Sequence, residues 1–241
     1  MQANALGQAV GDSLPQWEAP PLPSRTILVG EYCRLEPLST ERHGLDLWSA
    51  ASLDTTGGSW TYLPYGPFTS PDDYMTWLAV QERAADPLFF AVIDAANGKA
   101  VGVCAYLRID APVGCIEVGH VYFSPLLQRT SAATEAMYLM MRHAFELGYR
   151  RYEWKCDALN KASRRAAQRF GFSFEGLFRQ ARVIKARNRD TAWFSVIDGE
   201  WPALRSAYEK WLAPDNIDAS GKQKTSLASL TAPLLSRRDE A

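Results

Sequence analysis

The sequence predicts an α/β (α+β) fold built on a mixed, mostly antiparallel central sheet with helices on both faces. Segments typical of strands and helices follow one another in the order strand, two helices, three strands, helix, strand, helix, two strands and a last helix. Short turns join the three middle strands, which indicates an antiparallel meander. Of the 241 residues, 47% are apolar, which is enough for a full core without disulfide staples.

Composition divides the chain into an arm, one domain and a tail. Residues 1–30 are rich in Pro, Gly and Ala and are expected to form an irregular N-terminal arm. Residues 31–214 contain the periodic segments and form the single predicted domain. Residues 215–241 are rich in Ser, Lys and Ala and have no clear period, so we expect a mobile tail.

The first part of the domain combines one strand with two helices. A strand is predicted at 31–38 and a helix at about 40–51, which begins after a serine that can cap it. A Gly/Pro loop with several aromatic residues follows at 57–69. Ser70 then caps a helix over about 70–85, with proline at the first helical position and acids in the first turn.

The middle of the domain is the meander. Strands are predicted at 87–94, 100–109 and 115–123. Asn97 and Gly98 lie between the first two strands and are typical of a hairpin turn with positive φ.

The last part of the domain alternates helix and strand before a final hairpin. The predicted elements are a helix at 130–147, a strand at 150–158, a helix at 160–171, a hairpin of strands at 172–184 and 191–198, and a helix at 199–212.

Bulk properties argue against several classes of protein. The net charge of −1, with acids and bases intermixed, gives no general argument for binding nucleic acid or an anionic membrane. No apolar run has the length of a membrane span, and the N-terminus lacks the pattern of a secretory signal, so we expect a cytoplasmic protein. The chain has three histidines and four cysteines without a CxxC pair, so neither a metal site nor a disulfide framework is expected.

The segment SPLLQRTSAATEAM, residues 124–137, is the most informative stretch of the chain. It follows a strand and opens a helix, and proteins hold phosphates at such turns because the first amides of a helix have no intrahelical partner. The turn contains no glycine, but serine and alanine also offer backbone amides and allow close approach. Thr130 or Ser131 can add a hydroxyl donor and Arg129 a charge. The alternative is that Ser131 only caps the helix.

Four segments in this order resemble the GNAT superfamily of N-acetyltransferases, and more narrowly the branch that includes the ribosomal-protein N-terminal acetyltransferases. The resemblance covers roughly residues 31–200. The four segments are EVGHVYFSP (117–125), QRTSAATEA (128–136), NKASRRAAQRFGF (160–172) and FEGLFR (174–179). The family pattern of the turn is Q/R-x-x-G-x-G/A. Gln128 and Ala133 match it, whereas Ser131 replaces the first glycine.

The resemblance implies that acetyl-CoA is the co-substrate and that no metal is needed. It implies that the backbones of Val121, Tyr122 and Phe123 bind the pantetheine arm by strand addition. It also implies that the turn binds the pyrophosphate through residues Gln128, Arg129, Thr130, Ser131, Ala132 and Ala133. Related enzymes often pair, so the resemblance is compatible with a homodimer.

Glu117 is the candidate general base. It is a lone carboxylate inside an apolar strand, and burial favours proton uptake by such a group. It matches the acidic position of the family's corresponding strand and can act directly or through water. The alternatives are a glutamate on a solvated strand face or one paired with Arg108. His120 is expected to point away from Glu117, because side chains alternate along a strand.

Asn160 and Ser163 open the predicted helix that follows the 150–158 strand. The resemblance implies that Asn160 binds the pantetheine arm and that the Ser163 hydroxyl delivers a proton to the departing thiolate. The alternative is that Asn160 caps the helix, with Ser163 in its first turn.

The aromatic loop and a basic stretch are candidates for contacts with the acceptor. The loop residues are Trp60, Tyr62, Tyr65 and Phe68, of which Trp60 and Tyr65 are the predicted acceptor-binding residues. The alternative is that these rings fill the core beneath the loop. The basic residues are Arg179, Arg182, Lys185, Arg187 and Arg189, which can bind an acidic acceptor, a coenzyme A phosphate or RNA, or simply form a solvated strand edge.

The function that the sequence favours is acetyl-CoA-dependent transfer of an acetyl group to a primary amine. The amine belongs either to a small molecule or to a protein or peptide N-terminus. The alternative is a non-catalytic acyl-CoA-binding or regulatory protein on the same fold. A nucleic-acid-binding module is disfavoured by the net charge, and a cysteine-nucleophile transferase by the apolar surroundings of the cysteines.

Overall fold

The structure is a computed structural model, and it describes residues 2–219 and 222–239. It confirms the predicted fold class. The strands are β1 (Gln2–Ala3), β2 (Ala9–Val10), β3 (Leu28–Val29), β4 (Cys33–Pro37), β5 (Leu88–Asp94), β6 (Ala100–Asp110), β7 (Cys115–Phe123), β8 (Arg151–Asp157), β9 (Ser173–Ile184) and β10 (Arg187–Ile197). The α-helices are α1 (Thr40–Ala51), α2 (Pro71–Arg83), α3 (Ser131–Glu146), α4 (Lys161–Arg169), α5 (Trp201–Leu212) and α6 (Leu227–Thr231).

Eight strands form the central sheet in the order β3-β4-β5-β6-β7-β8-β10-β9. All neighbours in this sheet are antiparallel except β7 and β8, which are parallel. Strands β5, β6 and β7 are the predicted meander. In the N-terminal arm, β1 and β2 form a separate two-stranded ribbon.

Both faces of the sheet are covered because the side chains of β5 are apolar on both sides. Phe90 belongs to a core cluster that includes Met137 of α3. Its neighbour Phe89 belongs to a second cluster, which includes Leu47 of α1 and Leu78 of α2. A fully buried strand of this kind reads as a continuous apolar run, as PLFFAVID does.

A buried carboxylate fixes α3 against the edge of the sheet. Glu135 accepts hydrogen bonds from the backbone N–H groups of Glu31, Tyr32 and Cys33 at 2.7–2.8 Å. Gly30 permits this approach, since a Cβ there would lie 2.3 Å from Cδ of Glu135. The contact holds the start of α3, and therefore the turn before it, in register with the rest of the domain.

The segment after residue 214 differs from the expected mobile tail. Leu227 and Thr231 of α6 are buried against the domain. Arg164 of α4 forms an ion pair with Asp239, and its Nε lies 2.6 Å from Oδ2. The apolar spacing of LASLTAPLL gives this segment a face that packs on α4 and α5. Residues 220, 221, 240 and 241 of the predicted tail lie outside the described residues.

Among the helices in the described part of the chain, none combines the length and the apolar character needed to cross a bilayer.

Candidate active site

The two parallel strands at the centre of the sheet separate halfway along their length. β7 pairs with β8 only from Cys115 to Val118, opposite Arg151 to Trp154. Beyond this point residues 119–123 and 155–157 diverge, and in the described residues no strand fills the gap between them. This splay is the opening at which the family resemblance implies that the pantetheine arm binds.

A bulge in β7 lies at the splay. The register with β6 shifts by one residue between Gly119 and Tyr122, and His120 has a φ of 50°. An extra residue in one strand interrupts the alternation of side chains. As a result Glu117 and His120 line the same cavity, so the expectation that they point in opposite directions is wrong.

A large cavity of about 780 Å³ lies between the splay and the start of α3. Its wall includes most of the residues predicted to bind the coenzyme. They are Val121, Tyr122, Phe123, Gln128, Arg129, Thr130, Ala133 and Asn160. Ser131 and Ala132, the first two residues of α3, do not line this cavity.

Thr130, rather than Ser131, caps α3. Its Oγ1 accepts a hydrogen bond from the amide of Ala133 at 3.1 Å and donates one to the carbonyl of Leu127 at 2.7 Å. The alternative assignment of Ser131 as the cap is therefore wrong. The Ser131 hydroxyl instead accepts a hydrogen bond from Nε2 of Gln223, at 3.0 Å, which brings the C-terminal segment to the cavity.

The turn needs no glycine at position 131, because the residue with a left-handed backbone conformation is Arg129. Arg129 has a φ of 63°, whereas Ser131 is already the first residue of the helix. Gln128 stabilises the turn, since its Nε2 donates to the carbonyl of Phe123 at 2.8 Å. The position at which the family pattern has its first glycine therefore needs no glycine here.

Arg169 of α4 is a residue that the sequence reasoning missed. It lines the large cavity, and within the described residues it has no carboxylate partner. Its Nη2 donates to Thr134 at 3.1 Å, and the rings of Phe170 and Trp211 flank it at 5.2 and 5.4 Å. Burial lowers its pKa, which marks a cation held away from water. In the sequence nothing separates it from the other arginines of NKASRRAAQR, which read as a solvated helix face.

A smaller cavity of about 250 Å³ lies on the other side of the splay and is strongly charged. Glu117 on its wall is buried and forms ion pairs with both Arg108 and Lys155. Nε of Arg108 lies 2.6 Å and Nζ of Lys155 3.0 Å from Oε2 of Glu117. Lys155 also contacts Glu153 at 2.6 Å and lies 3.7 Å from the ring centre of Trp193. The pairing of Glu117 with Arg108, one of the sequence alternatives, is thus present.

His120 is an uncharged titratable side chain on the wall of this cavity. Burial, reinforced by the positive charge of Arg108, lowers its pKa to about 4. The Tyr65 hydroxyl and Nδ1 of His120 share a hydrogen bond of 2.9 Å, and the two rings stack. The imidazole is therefore uncharged at neutral pH, and its Nδ1 is engaged by the Tyr65 hydroxyl.

Asn160 and Ser163 lie where the two cavities meet, and both residues line both of them. Oδ1 of Asn160 accepts a hydrogen bond from the Ser163 amide at 3.0 Å, so Asn160 caps α4 as the alternative stated. Oγ of Ser163 accepts a hydrogen bond from Nε1 of Trp154 at 3.0 Å. The cap brings the serine hydroxyl to the splay.

Trp60, a predicted acceptor-binding residue, lines neither of the two cavities at the splay. It is buried and stacks on Tyr122, with ring centres 3.8 Å apart, so it belongs to the core beneath the loop. Tyr65 supports His120 from behind. Tyr62 belongs to the same loop and was not among the predicted acceptor-binding residues, yet it lines both cavities.

Within residues 2–219 and 222–239, no group of three or more His, Cys, Asp and Glu side chains is arranged to hold a metal ion.

Comparison with known proteins gives consistent matches. A family model described as an acetyltransferase (GNAT) domain matches residues 34–173. A GCN5-related N-acetyltransferase from Brucella melitensis is 50% identical, with a TM-score of 0.89 over 91% of this chain and 100% of that chain. A probable acetyltransferase of the GNAT family from Chromobacterium violaceum is 44% identical, with a TM-score of 0.76 over 81% of this chain and 98% of that chain.

The ribosomal-protein branch is more distant. RimL, a ribosomal L7/L12 α-N-protein acetyltransferase, is 18% identical, with a TM-score of 0.61 over 71% of this chain and 94% of that chain. At this identity the likeness concerns the fold alone. No match was found among the curated proteins.

Proposed function

Because this chain belongs to the GNAT family of acetyltransferases, we propose that it transfers an acetyl group from acetyl-CoA directly to a primary amine. The observation that carries this proposal is the splay between β7 and β8, with a large cavity on one side and a small charged cavity on the other. Val121, Asn160 and Ser163 line both cavities, so a donor in one and an acceptor in the other meet at these residues.

The large cavity suits the coenzyme. The first turn of α3 presents backbone amides and the positive end of the helix dipole, both of which favour phosphate groups. Arg129 and Arg169 add two cations on the same wall. The β7 edge at 121–123 offers main-chain groups to an extended pantetheine arm, as strand addition requires.

Direct transfer needs no covalent enzyme intermediate. The amine nitrogen forms a bond to the acetyl carbonyl carbon while the bond from that carbon to sulfur breaks, giving an amide and a free thiol. Placing both reactants in adjoining cavities supplies most of what such a reaction needs. The protein must then accept a proton from the nitrogen and provide one to the sulfur.

For the nitrogen proton we propose His120 in preference to Glu117. In the tautomer whose Nδ1–H donates to the Tyr65 hydroxyl, Nε2 of the neutral imidazole carries a lone pair that can accept a proton. The Glu117 oxygens are instead already engaged in ion pairs with Arg108 and Lys155. In this proposal Glu117 is a positioning residue, and its predicted role as the general base becomes the competing hypothesis.

For the sulfur we propose Ser163. Its oxygen accepts a hydrogen bond from Trp154, and its proton, which also interacts with the Cys156 thiol, can turn toward the splay when a thiolate forms there. Removing the hydroxyl with Ser163→Ala is expected to lower kcat by about tenfold or more, within the usual range for general acid catalysis.

The acceptor is a primary amine of a small molecule or of a protein or peptide N-terminus. The cavity of about 250 Å³ accommodates the amine and a few flanking atoms rather than a folded surface. An N-terminal residue inserted into it, or a small amine of similar size, satisfies this limit.

The test is thiol release from acetyl-CoA with a panel of amino acids, polyamines, amine antibiotics and peptides. We expect at least one amine to raise the rate above hydrolysis and to gain an acetyl group by mass spectrometry. If no amine exceeds hydrolysis while coenzyme A still binds, the chain is a non-catalytic acyl-CoA-binding protein and the proposal is overturned.

The roles of His120 and Glu117 are separated by His120→Asn and Glu117→Gln, assayed with the best amine. Asparagine tolerates the positive φ at position 120. If His120 accepts the proton, His120→Asn lowers kcat and leaves the Kd of coenzyme A unchanged. Should Glu117→Gln abolish kcat without loss of stability while His120→Asn is fully active, Glu117 is the base.

A further inference from the structure

Two arginines of the final hairpin stand directly opposite each other at the small cavity. Arg182 of β9 and Arg189 of β10 are partners in the strand register, and both line the cavity. Like charges in directly opposed positions of an antiparallel pair destabilise the sheet. Burial, together with the charge of Arg182, lowers the pKa of Arg189. The juxtaposition of Arg182 and Arg189 is therefore energetically unfavourable unless an anion lies between them.

Neither of these arginines is neutralised by the protein. In the described chain neither forms an ion pair, and Nε of Arg189 is buried without a hydrogen-bond partner. The other cations of the wall behave differently, because Arg108 and Lys155 both pair with Glu117. A buried guanidinium N–H group without an acceptor is costly, and native structures normally satisfy such a group.

The wall of the small cavity carries more positive than negative side chains. Arg108, Lys155, Arg182 and Arg189 face two carboxylates, those of Glu117 and Asp157. The Glu117 carboxylate already forms ion pairs with Arg108 and Lys155. Asp157 attracts Arg189 but forms no ion pair with it, and Oδ1 of Asp157 accepts the amide of Leu159 at 2.8 Å.

The hairpin holds the two arginines over the cavity. Its two-residue turn, Lys185-Ala186, has positive φ at both positions, 49° and 58°. Nζ of Lys185 donates to the carbonyl of Trp60 at 2.9 Å and so ties the hairpin tip to the aromatic loop. The register of β10 shifts after Arg189, and bulges of this kind re-aim side chains next to active sites.

The geometry points to an acceptor that carries an acidic group besides its amine, with Arg182 and Arg189 binding that group. This inference rests on the proposed function and names the substrate class of the same site. Guanidinium groups match the planar, two-oxygen geometry of carboxylates and also bind phosphate. The coenzyme phosphates have separate cations, because Arg129 and Arg169 line the large cavity and the two hairpin arginines do not.

The first experiment compares matched acceptors. Thiol release is measured with 4-aminobutyrate, with its neutral amide 4-aminobutanamide and with 3-aminopropyl phosphate. For each acceptor, kcat/KM is calculated from the concentration of the unprotonated amine. We expect an acidic acceptor to exceed the amide by about tenfold or more, the usual effect of one charge-assisted hydrogen bond. The ratio of the carboxylate to the phosphate identifies which acid the site prefers.

The second experiment removes one guanidinium. Arg189→Gln is expected to abolish the preference for the acid over the amide and to leave the KM for acetyl-CoA unchanged. Arg189→Lys retains the charge and should keep part of the preference. Arg187→Gln is the matched control, because Arg187 is an exposed arginine of the same strand outside both cavities.

A third readout does not need turnover. Succinate should raise the Tm of the wild-type protein more than succinamide does, and Arg189→Gln should remove this difference. Without ligand, Arg189→Gln should unfold at the same temperature as the wild type or higher, since it relieves the repulsion from Arg182.

Equal use of acid and amide by the wild type, or an equal loss with both acceptors in Arg189→Gln, would overturn the inference. Absence of thiol release with every amine would overturn the proposed function instead. In that event the succinate measurement still decides whether the two arginines form an anion site.

Discussion

The two cavities that meet at the splay are built in different ways. The large one is lined by the end of β7, the start of α3, α4 and part of the aromatic loop, and its charged residues are Arg129 and Arg169. The small one is formed by long charged side chains from β6, β7, β8, β9 and β10. A cofactor common to a whole family can be bound by shared main-chain geometry, whereas the acceptor is selected by side chains that the fold leaves free to vary.

The same difference appears in the energetics. In the large cavity, the proposed coenzyme site, the amides at the start of α3 are groups that water or a ligand can satisfy. In the small cavity, the proposed acceptor site, Glu117 lies between two cations, and Nε of Arg189 has no hydrogen-bond partner among the described residues. We therefore expect substitutions on the coenzyme side to change binding, and substitutions on the acceptor side to change stability and pH dependence as well.

The largest effect is expected from placing a carboxylate at the start of α3. Ala133→Glu puts a negative charge on the wall of the large cavity, beside the proposed phosphates. Repulsion between like charges at an interface costs several kcal/mol, so the Kd for coenzyme A should rise by about 100-fold or more. The measurement is titration calorimetry.

Ala133→Gln is the control for size, because it adds a similar volume without charge. It should weaken coenzyme binding far less than Ala133→Glu. If the glutamine and glutamate variants bind coenzyme A equally, then the phosphates do not lie at the start of α3.

The next effect concerns the acceptor side and is a loss of stability. Glu117→Gln removes the carboxylate between Arg108 and Lys155 and leaves Lys155, whose side chain is 8% exposed, with one carboxylate fewer. Breaking a buried ion pair typically costs about 3–5 kcal/mol, and we expect about 3 kcal/mol from urea unfolding because Arg108 is partly exposed.

Glu146→Gln serves as the control, since Glu146 is exposed and lies 3.8 Å from Arg142. Its loss should change the free energy of unfolding by less than about 1 kcal/mol. Similar losses in the two variants would mean that the Glu117 pairs contribute no more than a surface ion pair.

A smaller effect concerns acid stability. Burial lowers the pKa of all three histidines, His43, His120 and His143, with that of His120 lowered to about 4. The unfolded chain takes up these protons near pH 6.5, before the folded protein can. The contribution to stability is therefore complete above about pH 6.5 and is lost as the pH falls toward 4.

His120→Asn removes the largest of these three linkages. The free energy of unfolding of this variant should fall less steeply than that of the wild type between pH 6.5 and pH 4.5. The two proteins should show the same pH dependence above pH 7. Identical slopes at low pH would contradict the burial of a neutral His120.

The smallest effect is expected from restoring the glycine of the family pattern. Ser131 is already helical, so Ser131→Gly gains no new conformation and loses only the contact with Gln223. We expect the free energy of unfolding to fall by about 0.5–1 kcal/mol and the Kd for coenzyme A to change little. A coenzyme affinity many times higher in the glycine variant would show that Ser131 impairs the turn.

The fold was predictable because its signals are local. The NG turn between β5 and β6, the serine before α2 and the apolar runs of the meander each specify their element without help from distant residues. The C-terminal segment was not predictable, because α6 has only five residues and depends on packing against α4 and α5.

The candidate site was predictable to a similar extent, and for a similar reason. The turn at 128–133 and the pair Asn160 and Ser163 each lie within a short stretch of sequence, and six of these eight residues line the large cavity. The orientation of His120 depends on a bulge, and the exposure of Arg189 to the cavity on a strand register. Such features arise only when strands pair. The alternation of side chains along a single strand therefore predicted the wrong orientation for His120.

The most direct test is a crystal structure of the protein with coenzyme A. The account predicts the pyrophosphate within hydrogen-bond distance of the amides at the start of α3, and the pantetheine arm along residues 121–123 with its sulfur near Ser163. Coenzyme density outside the large cavity, or with its sulfur turned away from the splay, would contradict the account.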